Sequence, residues 1–405
     1  MRILVQKFGG TSVATRAIRE QAIEHILDAR SLGYSVVVVV SAMGRKGDPY
    51  ATDSLISLID EQDRISRREA DLLMSCGEVI SSVVFAGHLR AHGVEACALN
   101  GGQAGITTND DFSNAQILTI NPKRILQELE QDRVVIVTGF QGWTKDYETT
   151  TLGRGGSDTT ATALAVALDA EVVDIFTDVE GIMTADPRIV DDARRLRAVT
   201  YSEICNLAYQ GAKVIHPRAV EIAMQKNIPI RVRATSSKDE GTLVTSQTET
   251  DRIEGELRDQ LVTGITQTAN VTQIKVFAEP NNSGMQLNVF QAMAEHNISV
   301  DFINVNPRGV AFTVSDSDTD KALQVLQNMD FHPEATRGCA KVSVVGAGIA
   351  GVPGVMALIL GAIHAEGIEI LQSADSHTTI WCLVRGDDMA QAVRALHNKF
   401  ELHAL

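Results

Sequence analysis

The first 245 residues alternate short apolar runs with longer stretches in which apolar residues recur at helical spacing. The runs lie at 3–5, 36–40, 134–137 and 172–176, the last of which is interrupted by an aspartate at 174, and the second run consists of five valines. Uninterrupted β-branched runs are typical of strands that are buried on both faces of a parallel sheet. Helical spacing over residues 18–29 connects the first two runs. The pattern predicts an α/β sandwich around a mainly parallel sheet, with ligands at the carboxyl ends of the strands.

Beyond residue 245 the pattern changes. Residues 246–260 are polar and have little hydrophobic periodicity, which predicts a linker. The sequence then repeats itself, since residues 292–300 (AMAEHNISV) align with 362–370 (AIHAEGIEI) at an offset of 70. Such a repeat indicates two small α+β modules, each with the order strand, helix, strand, strand, helix. We therefore expect an N-terminal domain at 1–245, a linker at 246–260, and modules at 261–337 and 338–405.

Composition and charge narrow the class of protein. Asp and Glu total 51 against 36 Lys and Arg, so the net charge is −15 and nucleic acid is excluded as a partner. The five cysteines form no CxxC pair, which argues against a disulfide framework or a structural zinc site. No signal-peptide pattern opens the chain, and the apolar stretch 352–365 is too short to cross a membrane. We expect a soluble, cytoplasmic protein without a membrane partner.

One glycine motif suggests a dinucleotide-binding site. Residues 346–351 read GAGIAG, which fits GxGxxG, and they follow the apolar run 342–345. Too few residues follow to complete a dinucleotide-binding domain, and the matching loop of the first module, 278–283, lacks the motif. A glycine-rich turn in a regulatory module is therefore the favoured interpretation, and an NAD-dependent dehydrogenase remains an alternative.

Two other glycine-rich segments carry more chemistry. KFGGTS occupies 7–12, directly after the first predicted strand, and TTLGRGGSDTTA occupies 150–161, at the start of a predicted helix. Glycines let the backbone approach a ligand closely, and helix N-termini attract anions. Lys7 can place an ammonium beside phosphate oxygens, and the guanidinium of Arg154 suits a carboxylate. Together the two segments predict an anionic-substrate site.

These two segments resemble those of the aspartokinases. The resemblance extends in order over the chain through SCGE at 75–78, FTDVEGIMTADPR at 176–188 and GAKVIHPRAVEIA at 211–223. It implies the amino-acid kinase fold, an α/β/α sandwich with a mainly parallel sheet, followed by two ferredoxin-like ACT domains in place of the repeats. It also implies a homo-oligomer, a dimer or larger.

The reaction implied by the resemblance is the MgATP-dependent phosphorylation of the β-carboxylate of L-aspartate to 4-phospho-L-aspartate. That step leads toward lysine, threonine, methionine and diaminopimelate. By motif match, Lys7 stabilises the transferring phosphoryl group and Asp158 orients Lys7 or the metal-bound phosphate. The implied aspartate-binding residues are Thr52, Glu78, Arg154 and Ser157.

The nucleotide site is implied in the same way, with ATP and Mg²⁺ as cofactors and with no side chain assigned as a metal ligand. Besides Lys7, the implied ATP-binding residues are Gly9, Gly10, Thr11, Ser41, Thr177, Asp178, Thr184, Asp186, Arg188 and Lys213.

The resemblance further implies that an amino-acid effector (lysine, threonine or diaminopimelate) binds the ACT domains. The segment LQSADSHTTIWCLV at 371–384 is similar to the diaminopimelate-responsive isoform of Gram-positive spore formers. The two copies differ, because Pro353 and Gly354 are adjacent in the second copy whereas Pro280 and Gly284 are separated in the first.

Two further functions stay open at the level of sequence. Another amino-acid kinase, acting on glutamate or a nucleoside monophosphate, would share the fold but should lack the pairing of KFGGTS with GRGGSD. A non-catalytic amino-acid sensor would retain the kinase domain as a scaffold, although Lys7, Glu78, Arg154 and Asp158 argue for catalysis.

Overall fold

The computed structural model describes residues 1–60, 64–212, 214–246, 261–278, 284–347, 349 and 351–404. The chain divides into two compact units. The first contains Met1–Ile182, Arg195–Tyr209 and Lys213–Arg258, and the second contains Met183–Arg194, Gln210–Ala212 and Asp259–Leu405. The predicted domain limits stay predictions, and all but the first residue of the predicted linker lie outside the described residues.

The first unit contains twelve described strands, and four of them contain the apolar runs of the sequence. They are β1 (Ile3–Phe8), β2 (Ser35–Val40), β3 (Ala96–Leu99), β4 (Ile106–Thr108), β5 (Ile117–Ile120), β6 (Val134–Thr138), β7 (Gln141–Trp143), β8 (Thr149–Thr151), β9 (Val172–Thr177), β10 (Ala198–Thr200), β11 (Ile230–Ala234) and β12 (Thr242–Thr245). Eight of them form one sheet in the order β10-β12-β11-β9-β1-β2-β6-β3, and the other four form a small sheet in the order β5-β4-β7-β8.

The large sheet is mainly parallel, as the sequence predicts. Among its described neighbours, β11 and β12 run antiparallel and the remaining pairs run parallel. The five valines of β2 are fully buried, and the residues around them form a hydrophobic core with the helices of this unit. The described helices are α1 (Gly10–Val13), α2 (Arg16–Ser31), α3 (Thr52–Ile56), α4 (Arg67–Ala91), α5 (Lys123–Leu129), α6 (Gly156–Leu168), α7 (Tyr201–Tyr209) and α8 (Pro217–Met224). This is the predicted α/β architecture.

Helix α4 is long and apolar enough to span a membrane by length and composition. Nine of its residues are nevertheless buried inside the first unit, and they include Asp71, Ser75 and Glu78. A helix that buries carboxylates among protein atoms is typical of a domain core, where partners satisfy the polar groups.

The second unit contains six described strands and four described helices, which are β13 (Gly264–Phe277), α9 (Met285–Glu295), β14 (Asp301–Asn306), β15 (Gly309–Ser315), α10 (Thr319–Gln327), β16 (Glu334–Val345), α11 (Val355–Ala365), β17 (Gln372–Asp375), β18 (Thr379–Arg385) and α12 (Met389–Lys399). The strands form one antiparallel sheet in the order β14-β15-β13-β16-β18-β17. Helices α9 and α11 match at the offset of 70, as do strands β15 and β18, so the internal repeat is confirmed.

Strand β13, the longest strand of this sheet, contributes to the hydrophobic cores of both modules. The first part of β13, with Ile265, packs in a core with β16, α11 and α12, whereas Ile274 and Val276 pack in a core with α9 and α10. The pairing of β13 with β16 is interrupted between Thr268 and Val271, where Asn270 has a φ of 60°. A bulge therefore marks the position at which the strand passes from one core to the other.

The strand directions in this sheet test whether the GAGIAG motif belongs to a dinucleotide-binding domain. Strand β16 pairs antiparallel with β13 and with β18. A dinucleotide-binding domain needs a parallel strand–helix–strand unit at this motif. The motif therefore follows a strand of an antiparallel sheet, which does not fit a dinucleotide-binding domain, and two of its positions, 348 and 350, lie outside the described residues.

Candidate active site

Lys7 lies at the carboxyl edge of the large sheet, near the end of the central strand β1. It is in register with Val39 on β2 and Ile175 on β9. Helix α1 begins almost immediately afterwards, and the turn is tight because a Cβ at Gly10 would lie only 2.5 Å from the carbonyl oxygen of Gly44. Glycine is thus required for this close approach. The sheet presents the Lys7 side chain where parallel sheets bind their ligands.

The second glycine segment shapes the N-terminus of α6. Gly155 caps this helix with a φ of 68°, and a Cβ there would lie 2.2 Å from the Cβ of His216. Both observations require glycine. Asp158 stands in the first turn of α6, and its Oδ1 lies 2.7 Å from Nζ of Lys7. Both side chains are nearly buried, at 12% and 13% exposure, so the pair joins the two glycine segments.

A cavity of about 520 Å³ opens beside this ion pair. It brings together seven of the residues that the resemblance implies, drawn from both glycine segments, from α3 and α4, and from the end of β2. They are Lys7, Ser41, Thr52, Glu78, Arg154, Ser157 and Asp158. Its volume lies within the usual range for small-molecule sites. The lining holds two cationic and two acidic side chains, an arrangement that suits a zwitterionic or dianionic ligand.

Glu78 is the most deeply buried of these charged groups, with 2% exposure. Its Oε1 accepts a hydrogen bond from the backbone N–H of Ala42 at 3.1 Å, and its Oε2 has no partner among the described residues. Burial raises the pKa of this carboxyl to about 8, because the charged form loses its hydration. A ligand ammonium at Oε2 would supply the missing partner and favour the ionised form.

Arg154 differs from Glu78 in its surroundings. The residue is exposed, and no ion pair or hydrogen bond engages its guanidinium in the part of the chain that the structure describes. An unpaired guanidinium at the wall of a cavity is suited to bidentate binding of a carboxylate.

Asp71 supports the site but was missed at the level of sequence. Although fully buried on α4, it accepts hydrogen bonds from the backbone N–H groups of Ser113 (2.9 Å) and Thr151 (2.7 Å) and from both hydroxyls. It thereby fixes the strand end that leads into Arg154, and Ser113 itself lines the cavity. The available signal was a polar stripe on an apolar helix, since Asp71 and Glu78 are seven residues apart and share one face.

The implied nucleotide residues of the first unit lie along the same sheet edge. The N–H of Gly9 donates to the carbonyl of Phe176 at 3.4 Å, which places the turn after β1 beside the end of β9. Thr177, at that end, donates its hydroxyl to Asp178 at 3.2 Å, and Asp178 also pairs with Arg45. Arg45 is a cation that the sequence analysis did not single out. The structure leaves the nucleotide role of these residues, and of Thr11, as a prediction.

The remaining implied nucleotide residues are placed differently. Thr184, Asp186 and Arg188 belong to the second unit. Thr184 is fully buried, while Arg188 pairs with Asp186 at 2.7 Å and its hydrogen bond is the main cause that lowers the pKa of that carboxyl. Lys213 lies outside the described residues. A role of these four residues in nucleotide binding stays a prediction.

Comparison with known proteins identifies the family to which the chain belongs. The profile of the amino acid kinase family matches residues 2–234, and an ACT domain profile matches residues 334–398. Aspartokinase 1 of Bacillus subtilis (strain 168) is 57% identical over 99% of this chain and 100% of its own length. An aspartokinase of Geobacillus stearothermophilus is 40% identical over 99% of this chain and 98% of its own.

Solved structures of aspartokinases resemble this chain over nearly its whole length. E. coli aspartokinase III in complex with aspartate and ADP (R-state) superposes with a TM-score of 0.78 at 29% identity, covering 98% of this chain and 99% of that one. The aspartate kinase of Synechocystis gives a TM-score of 0.81 at 27% identity, with 99% and 98% coverage. Given these matches over nearly the whole length and the ligand-sized cavity at the two glycine segments, the chain belongs to the aspartokinases, members of the amino acid kinase family that carry C-terminal ACT domains.

Proposed function

We propose that the cavity of the first unit binds L-aspartate beside the triphosphate of MgATP and that the enzyme transfers the γ-phosphoryl group to the β-carboxylate. The observation that carries the proposal is the cavity itself, in which the Lys7–Asp158 pair faces Glu78 and Arg154. Arg154 and the buried Glu78 suit one carboxylate and the ammonium of aspartate, which leaves Lys7 for the phosphoryl group that the second carboxylate attacks. The family membership supports the same reaction.

The chemistry needs little proton transfer from the protein. At neutral pH the β-carboxylate is ionised, so its oxygen can attack the γ-phosphorus while the bond to the bridging oxygen breaks and ADP leaves. The obstacle is the repulsion between the carboxylate and the triphosphate. In our proposal Arg154 holds a carboxylate of aspartate, Glu78 holds the ammonium, and Lys7 neutralises charge on the transferred group.

The residues present fit a magnesium nucleotide. Mg²⁺ prefers oxygen ligands and is commonly held by substrate phosphates with one or two carboxylates, and Asp158 offers such a carboxylate in the cavity. When bound, the ion would neutralise phosphate charge. Asp158 also holds Lys7 in position and accepts a hydrogen bond from the N–H of His216 at 3.4 Å, so its own orientation is fixed.

Substrate identity can be tested by ATP-dependent formation of acyl hydroxamate from hydroxylamine. We expect product with L-aspartate and none above background with L-glutamate or N-acetyl-L-glutamate, because the acceptor carboxylate must stand at a fixed distance from the ammonium bound to Glu78. Product with glutamate or N-acetylglutamate instead would assign a different amino-acid kinase activity. Absence of product from a folded protein that binds ATP would support the sensor alternative.

The ACT repeats support feedback regulation, and we propose that an amino acid binds in the second module. A cavity of about 340 Å³ there is lined by residues at the start of α11 and on β17, among them Val355, Ser373 and Asp375. The N-terminus of α11 suits a carboxylate, and Asp375 suits an ammonium. The corresponding loop of the first module, 279–283, lies outside the described residues.

We expect diaminopimelate, lysine or threonine at millimolar concentration to lower activity at subsaturating aspartate by at least about fivefold, the smaller end of typical coupling. Asp375→Asn should weaken that inhibition with little change in basal activity, whereas Asp330→Asn, at an exposed turn of the first module, should not. Activity that stays flat across the three amino acids, singly and in pairs, would remove the regulatory proposal.

We propose further that the protein is a homo-oligomer and acts in the cytoplasm, where ATP and aspartate are both present. Light scattering of the purified chain tests the first point: a mass at twice the monomer or above supports it, and a monomer at micromolar concentration contradicts it.

A further inference from the structure

Three potential metal ligands converge in the second unit, outside the active site. His397 lies on α12, His403 lies in the short turn Leu402–Ala404 that follows, and Asp192 lies in the segment 183–194. One ligand atom from each residue lies within 4.8 Å of the other two. Two histidines and a carboxylate form a ligand set that transition-metal ions favour.

The strongest observation concerns the ring of His397, which is fully buried. Its Nε2 lies 2.9 Å from the hydroxyl oxygen of Thr184, whereas its Nδ1 has no hydrogen-bond partner among the described residues. The nearest anion is Asp192, whose Oδ1 lies 3.8 Å from Nδ1, beyond hydrogen-bond reach. A buried nitrogen without a partner is costly, and native structures seldom leave one unsatisfied.

The geometry suits an ion between these groups. Around a tetrahedral zinc ion with bonds of about 2.1 Å, neighbouring ligand atoms stand about 3.4 Å apart. The 3.8 Å between Nδ1 and Asp192 is close to this spacing. Asp192 and His403 are exposed, so rotation of their side chains can shorten the longer separations.

The surroundings also hold the ligands in place. Thr184 accepts the N–H of Arg194 at 2.9 Å, which fixes its hydroxyl beside Nε2 of His397. When Nε2 carries the ring proton and donates it to Thr184, the lone pair of Nδ1 is free to bind an ion. A metal-bound histidine commonly donates its second N–H in this way. Arg194 also donates to the carbonyl of His403 at 3.0 Å, which holds the third ligand nearby.

We propose that Asp192, Nδ1 of His397 and His403 bind one divalent transition-metal ion of the zinc type, with water completing the coordination. The site would fasten segment 183–194 and the turn at 402–404 to α12. The cysteine-based expectation of no structural zinc site does not extend to it, because none of its ligands is a cysteine. The oxygen-preferring Mg²⁺ fits poorly, so this ion is distinct from that of the nucleotide.

The test is a titration of the full-length, untagged, metal-free protein with Co²⁺, followed by its visible absorption, and with Zn²⁺, followed by Tm. We expect one tightly bound equivalent of Co²⁺ and a Tm that rises with Zn²⁺ but not with Mg²⁺. Asp192→Asn and His403→Ala should each weaken Co²⁺ binding by at least about tenfold. Both positions are exposed, so the variants should fold.

The matched control is His332→Ala, which removes an exposed histidine of the first module and should bind Co²⁺ like the wild type. Absence of saturable binding near one equivalent would overturn the proposal. Binding that Asp192→Asn and His403→Ala leave at the wild-type affinity would overturn it as well, since the ion would then lie elsewhere.

Discussion

Lys7→Ala should lower kcat for aspartate phosphorylation by at least about a hundredfold, or about 2.7 kcal/mol of activation free energy. The ammonium lies at the end of the central strand, 2.7 Å from Asp158, at the wall of the cavity. It is nearly buried, so its charge acts through a medium of low polarity and contributes more than a surface charge would. Steady-state kinetics at saturating ATP and aspartate measure the loss.

Lys226→Ala is the matched control, because Lys226 is exposed in the turn after α8 and its loss should leave kcat unchanged. Thermal unfolding of both variants separates a catalytic loss from a folding defect. The informative double variant is Lys7→Ala with Asp158→Asn, which removes the stranded carboxylate. If that variant regains the stability that Lys7→Ala loses, the stranded carboxylate caused the loss of stability. A kcat of Lys7→Ala within threefold of the wild type would exclude Lys7 from the mechanism.

Glu78→Gln should raise the KM for aspartate by about thirtyfold or more, about 2 kcal/mol, with a smaller change in the KM for ATP. The carboxyl is buried, and its free Oε2 is the proposed partner of the substrate ammonium. Glutamine keeps the shape and the hydrogen bond from Ala42 but removes the charge. Glu130→Gln, at an exposed position at the end of α5, serves as the control and should bind aspartate normally.

The pH dependence of this effect follows from the pKa of Glu78, which burial raises to about 8. Below pH 8 the free enzyme holds a neutral carboxyl, and aspartate binding must release its proton. The KM for aspartate should therefore fall by up to about tenfold per unit as the pH rises from 6 and should level off above 8. In Glu78→Gln this dependence should be absent. A wild-type KM that is flat from pH 6 to 8 would contradict the assignment.

Stability should show the opposite trend. The folded pKa of Glu78 lies above its ordinary value of 4.5, so its contribution to folding is fully present below that value and is lost as the pH rises through 8. Glu78→Gln escapes this loss, and its Tm without ligand should exceed that of the wild type at pH 8. The variant therefore separates substrate binding, which it weakens, from folding, which it favours.

The central sheet and the main site residues were accessible from the sequence because their signals are local. The apolar runs at 36–40 and 134–137 are typical of strands that are buried on both faces of a parallel sheet, and they appear as β2 and β6. The glycine segments are local signals as well, because the turns that contain the glycines set the positions of Lys7 and Arg154. The short strands of the small sheet were not predicted, since segments of three or four residues are too short to show a periodicity.

Other features of the site could not be predicted from the sequence, because they depend on residues that are far away along the chain. Asp71 is functional only through its hydrogen bonds to Ser113 and Thr151, which lie 42 and 80 residues away. The unusual pKa of Glu78 is a consequence of burial, and an acid beside glycine in SCGE gives no sign of it. The sharing of β13 by two cores was also hidden, because an internal repeat shows that two copies are similar and not which copy a strand completes.

That sharing has a consequence for engineering the regulatory half. Residues 269–337 behave as an insertion within the second module, whose opening strand, the first part of β13, is separated from the rest by the whole first module. A chimera made with one crossover near 338 would combine a strand from one parent with the sheet and helices of another. Exchange of the first module alone needs two crossovers, at the bulge near 269–270 and at the matching irregularity near 337–338, where each parent's core stays whole.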